Sequence, residues 1–131
     1  MVNWQIIQNK NENVCCAAAT LIFACSGAAD VGAISDSAAR KLTADGAGKM
    51  YCLAGIGGLV PGIIKTTQAA EKILAIDGCP LDCTKLSLEE AGITKFEQIK
   101  VTDLGFQKGK SPATDENIAA VVQAVLIKLK D

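Results

Sequence analysis

The sequence predicts an α/β fold: a three-layer α/β/α sandwich around a parallel, flavodoxin- or Rossmann-like sheet of about four strands. Three observations carry this. Short apolar runs alternate with segments whose apolar residues recur at helical spacing, the pattern of βα units joined by right-handed crossovers. The runs are nearly continuous in apolar residues, as expected of strands covered on both faces. Half the residues are hydrophobic but only 4% are aromatic, so the core is built from small and aliphatic side chains that let helices sit close to a sheet.

Taken in order, Met1 to Asn13 is polar and Asn/Gln-rich apart from Trp4, Ile6 and Ile7, and reads as an N-terminal arm or a short added element. Thr20 to Cys25 is the first strand. Val31, Ile34, Ala38, Ala39 and Leu42 mark a helix, with Asp30 as its cap and Gly46 as its stop. Residues 49–54 form the second strand. Gly55, Gly57 and Gly58 make a loop, and Pro61 opens a second helix ending near Glu71. Lys72 to Asp77 is the third strand. Pro80 or Asp82 starts a third helix that ends before Gly92. Phe96 to Val101 alternates and reads as the fourth strand. A last helix begins near Thr114 and carries Ile118, Val121, Val122, Val125 and Leu129 on one face. The expected strand order is 2-1-3-4. A chain of 131 residues suits one domain with its own core, spanning 1–131.

Charge and composition exclude several roles. Net charge is −1 with acids and bases mixed along the chain, so no basic stripe suggests nucleic acid or an anionic membrane surface as a partner. Histidine is absent, which removes Ser-His-Asp and Cys-His mechanisms within one chain. Any metal must be held by thiolates, carboxylates or backbone. The run Val14–Cys25 is apolar except for Thr20, and Ile22-Phe23-Ala24-Cys25 faintly matches a lipoprotein cleavage site. Yet only Lys10 precedes it as a base, with Glu12 beside it, and cleavage would remove the first strand. The strand reading is preferred, and a cytoplasmic location is expected. No segment is long enough to span a bilayer as a helix.

The cysteines are the most informative residues. Cys25, Cys52 and Cys79 are each 27 residues apart, about the length of one strand-plus-helix unit, and Cys83 follows four after the last. Each of the first three ends or follows an apolar run, so the thiols come from the carboxyl edge of one sheet, where α/β folds build their sites. Six cysteines in a short chain also suit a secreted disulfide framework, but a chain this long can bury a core without staples. Spacing alone leaves two accounts open. Four thiols can satisfy a tetrahedral metal, and cysteines also serve as small buried hydrophobes.

Other residues near the cysteines suggest further roles. Gly55, Gly57 and Gly58 follow a strand and precede a helix, as a phosphate loop would, but no Lys-Ser/Thr follows and the spacing is not G-x-G-x-x-G. Close backbone approach is the simpler role. The Cys25-Ser26-Gly27 loop suggests a cysteine phosphatase, but the first arginine after it is Arg40, well along a helix. Asp77 and Asp103 follow the third and fourth runs, where they can join a site or cap a turn. Ser26 is placed to donate to a thiolate sulfur or to sit in an ordinary turn.

The string CSGAADVG from Cys25 to Gly32, AARKL from Ala38 to Leu42, KMYCLAGIGG from Lys49 to Gly58 and ILAIDGCPLDC from Ile73 to Cys83 together resemble the DGC family, named for an Asp-Gly-Cys motif that is Asp77-Gly78-Cys79 here. The resemblance covers most of residues 20–92. It implies a small domain whose four cysteines, Cys25, Cys52, Cys79 and Cys83, are proposed to chelate Zn²⁺, and it brings no assigned activity. Cys15 and Cys16 lie outside the matched strings and read as ordinary thiols. Three functions compete: a zinc-binding domain, a thiol redox or sulfur-handling enzyme using Cys79 and Cys83 as a dithiol beside Cys25, and an iron–sulfur protein.

Overall fold

The computed structural model describes residues 20–130. The arm at 1–13, together with Cys15 and Cys16, falls outside the described residues. Four strands form one all-parallel sheet in the order β2-β1-β3-β4, as expected. They are β1 (Thr20–Ala24), β2 (Lys49–Met50), β3 (Lys72–Asp77) and β4 (Glu97–Lys100). Among the described residues, five helices connect and follow them: α1 (Asp30–Ala44), α2 (Leu53–Gly57), α3 (Pro61–Gln68), α4 (Cys83–Glu90) and α5 (Asp115–Lys130). A 3₁₀ turn spans Val101–Leu104.

The two-residue period of the central strands divides the core. Ile22 and Ala24 of β1 and Leu74 and Ile76 of β3 face one side, where they pack with Ile34, Ala38 and Leu42 of α1 and Val121 and Val125 of α5. Leu21 and Phe23, with Ile73 and Ala75, face the other side against Ile56, Leu88 and Ile93. Both faces are therefore covered, which is why the runs carry no polar alternation. No described helix is long and apolar enough to cross a membrane.

The second strand is shorter than expected. Only Leu21↔Lys49 and Ile22↔Met50 pair in register, and the predicted strand residues 53–54 belong to α2. The predicted glycine loop is likewise helix, since Gly55 and Gly57 lie within α2 and Gly58 follows as its C-cap. The left-handed backbone of this region falls on Leu59, at φ 57°, and not on a glycine. Pro61 does open α3, at its first turn, although the helix stops at Gln68. At the end of α1, Gly46 takes φ 83° and halts the helix as predicted.

Candidate metal centre

The carboxyl edge of the sheet is drawn together by glycines. A Cβ on Gly78 would lie 2.9 Å from the carbonyl carbon and oxygen of Val31 and 3.0 Å from the Gly32 nitrogen. A Cβ on Gly32 would in turn meet the Gly27 oxygen at 2.8 Å. Three backbone segments thus stack: the loop after β1, the first turn of α1 and the loop after β3. Only residues without a Cβ allow that approach. The buried Ser35 hydroxyl of α1 donates to the Cys25 carbonyl, and the Cys25 amide continues the β1–β3 ladder by donating to the Ile76 oxygen at 2.9 Å. Cys25 and Cys79 are thereby held on adjacent loops.

Cys83 is the first residue of α4, four positions beyond Cys79. Asp77 holds that turn. Its fully buried carboxylate accepts from the Thr84 amide at 2.6 Å, the Lys85 amide at 3.1 Å and the Gln98 side chain at 2.9 Å. It therefore satisfies two of the orphan donors at the start of α4. Asp82 is the N-cap by position, but its backbone is left-handed, φ 57° and ψ 41°, and its side chain makes no capping bond. It accepts from Gln98 at 3.0 Å and pairs with Lys100 at 3.1 Å. Burial alone would raise the Asp82 carboxyl, but Lys100 and Gln98 outweigh it and hold the group below its ordinary value. The Asp82 bond pushes Lys100 up in turn.

Cys83 lies near enough to Cys25, Asp77 and Cys79 for their charges to bear on its thiol. Partial burial, with the charges of Cys25, Asp77 and Cys79 beside it, pushes the Cys83 thiol up. Position at a helix start is expected to favour thiolate, but burial, with the neighbouring charges second, wins here. Cys52 stands somewhat apart. It caps α2, its sulfur accepting from the Gly55 amide at 3.3 Å. Among the described residues, no three His, Cys, Asp or Glu side chains are gathered into a metal-holding group. Cys52 and Cys83 are exposed, Cys25 is half-buried and Cys79 is buried. The donor set, soft thiols on one sheet edge, suits a thiophilic ion.

Other predicted participants lie elsewhere. Ser26 donates to the Asp36 carboxylate at 2.7 Å, not to a sulfur. Asp103 is exposed on the 3₁₀ turn, where its charge acts on Lys100. The Gly55 amide is taken by Cys52, and the Gly58 amide by the Ala54 oxygen at 2.9 Å, so neither is turned to a phosphate. A residue that no motif pointed to is Lys108, whose ammonium lies 3.7 Å from the Cys79 sulfur. Its loop is pinned by Asp30, which accepts from the Gly109 amide at 2.8 Å and the Ser111 amide at 3.0 Å. Those two bonds, reinforced by the Val31 amide, hold the Asp30 carboxyl below its ordinary value. Asp30 was expected as the helix cap; it occupies the first helical position, after Ala29.

The chain is 33% identical over 88 residues to the anaerobic and virulence modulator AnvM of Pseudomonas aeruginosa, an alignment that covers 67% of each chain. No solved structure matches it. The model of the DGC domain matches residues 21–125, a span that takes in the loops of Cys25, Cys52, Cys79 and Cys83, and the chain belongs to the DGC domain family.

Proposed function

We propose that this chain is a zinc-binding domain that holds one metal ion through the thiolates of Cys25, Cys52, Cys79 and Cys83. What supports the reading is the placement of all four cysteines at the carboxyl edge of the sheet: Cys25 and Cys79 on adjacent loops after β1 and β3, Cys83 at the start of α4 and Cys52 at the cap of α2. The Cys83 thiol resists ionisation because burial and neighbouring charge disfavour its thiolate, and a divalent cation would remove that penalty. Four thiolates around Zn²⁺ leave a formal charge of about −2, which the Lys108 ammonium beside Cys79 offsets. Cys52 completes the set by exchanging its Gly55 bond for the metal. A reducing cytoplasm would keep these thiols available. The name of AnvM, a modulator, favours regulatory over catalytic use of the centre.

A second reading is a thiol redox role, with Cys79 and Cys83 as a dithiol beside Cys25; closing the disulfide would pass two electrons to an oxidant and release two protons.

The test is metal counting on protein purified without oxygen. One zinc per chain is expected, with zinc–sulfur distances of about 2.3 Å by X-ray absorption. Replacing any one of the four cysteines by serine should lower the zinc content sharply, while Cys15→Ser and Cys16→Ser should leave it unchanged. A brown protein containing iron and sulfide would favour a cluster instead. Zinc-free protein whose thiols pair reversibly under mild peroxide would favour the redox reading.

A further inference from the structure

Beside the cysteines lies a cleft of about 710 Å³ between the ends of β1 and β2. Its size is that of a small-molecule site, and most of its wall is apolar, from Met50, Tyr51, Leu53 and Ala54. The Tyr51 ring is steadied edge-on against Phe23, with centroids 6.0 Å apart. One charged residue lines the cleft, Arg40, reaching in from α1. Its guanidinium is held in place: Nε donates to Asp36 at 2.9 Å, and Ser26, also in the cleft wall, donates to the other oxygen of the same carboxylate. Burial would raise Asp36, but Arg40 and Ser26 together keep it below its ordinary value, so the pair is set as an ion pair.

This arrangement leaves the terminal amino groups of Arg40 without a bond among the described residues. They form a planar donor set matched to a carboxylate. A phosphate dianion is a poorer match. Among the described residues no lysine lines the cleft, so a dianion would meet a single cation there, and that cation is already paired with Asp36. We propose that the cleft is a binding site for a small organic carboxylate whose apolar body lies on Met50, Tyr51 and Leu53 and whose acid group is held by Arg40. Asp36 acts as a positioning residue, and its own charge keeps the affinity modest. The site adjoins Cys52, so an occupant would cover one approach to that sulfur. The proposal does not depend on which metal, if any, the cysteines hold.

The probe is 4-phenylbutyrate, titrated into ¹⁵N-labelled full-length protein, with 4-phenylbutan-1-ol as the neutral control. The acid should move the amide signals of Ser26, Tyr51 and Leu53 saturably and bind at least about tenfold more tightly than the alcohol. Arg40→Gln should reduce acid binding to the level of the alcohol, and Arg40→Lys should retain part of it. Arg40 is 70% exposed, so these variants should keep the parent spectrum elsewhere. Equal binding of acid and alcohol to the parent overturns the proposal without any variant. So does an Arg40→Gln protein that binds the acid as well as the parent, or a response that never saturates.

Discussion

Asp77 offers the sharpest test of how the cysteine turn is held. Its carboxylate has no exposed surface and accepts three bonds, from Thr84, Lys85 and Gln98. Asp77→Ala removes all three acceptors. The Thr84 amide is left buried without a partner, a loss of about 1–3 kcal/mol. The Lys85 amide and the Gln98 side chain are only part-buried, and water can replace part of what they lose, so about 0.5–1 kcal/mol each is reasonable. The expected total is roughly 3 kcal/mol, a large share of the stability of a domain this size. Asp77→Asn keeps the shape and one oxygen, but sets an amide donor against a donor, and should cost about 1–2 kcal/mol. Urea unfolding in reductant and chelator measures both without interference from metal linkage. The reasoning fails if both variants unfold within about 0.5 kcal/mol of the parent, because the three bonds would then contribute little in the native state.

Gly78→Ala should destabilise by roughly 1–3 kcal/mol, since the added Cβ would press on Val31 backbone and not on a side chain that can move; urea unfolding of this variant reads it directly. Leu59 is exposed and left-handed, so Leu59→Gly should raise thermal stability by up to about 1 kcal/mol in spite of the added chain entropy; a fall in melting temperature would show that its backbone is not strained. Asp30 has a depressed carboxyl, so its contribution is complete above the ordinary value of 3.8 and is lost as pH falls through the lower folded-state value. Amide exchange at Gly109 and Ser111 should therefore quicken below about pH 4, and Asp30→Ala should show that faster exchange at neutral pH.

Much of this arrangement was legible from periodicity. The third strand runs Lys72–Asp77 as read, and the face of α5 through Val121, Val122 and Val125 packs on the core, because both patterns follow burial. The second strand was over-read. The apolar residues Leu53 and Ala54 extend the run, but they belong to a helix capped by Cys52, and a short apolar run does not distinguish strand from buried helix. The 27-residue spacing places Cys25, Cys52 and Cys79 after β1, β2 and β3, at the carboxyl edge of the sheet. The roles of Ser26 and Lys108 were hidden because each depends on contacts across the fold, with Asp36 on α1 and with a loop beyond β4. Asp77 drew notice only as a residue after a strand; its bonds reach seven, eight and twenty-one positions along the chain.

The brevity of β2 has a dynamic consequence. β1 shares five register positions with β3, and β3 shares four with β4, whereas β2 is tied to β1 by two. Opening free energies follow such differences, so the segment bearing Cys52 should detach from the sheet at far less cost than the strands beneath Cys25 and Cys79. One thiol thus rides on a door while the other three are fixed to the frame. If the proposed metal binds at this edge, its exchange would follow the motion of Cys52, at a rate set by the fraying of this short strand and the Tyr51 amide bond to Ile22 rather than by unfolding of the core.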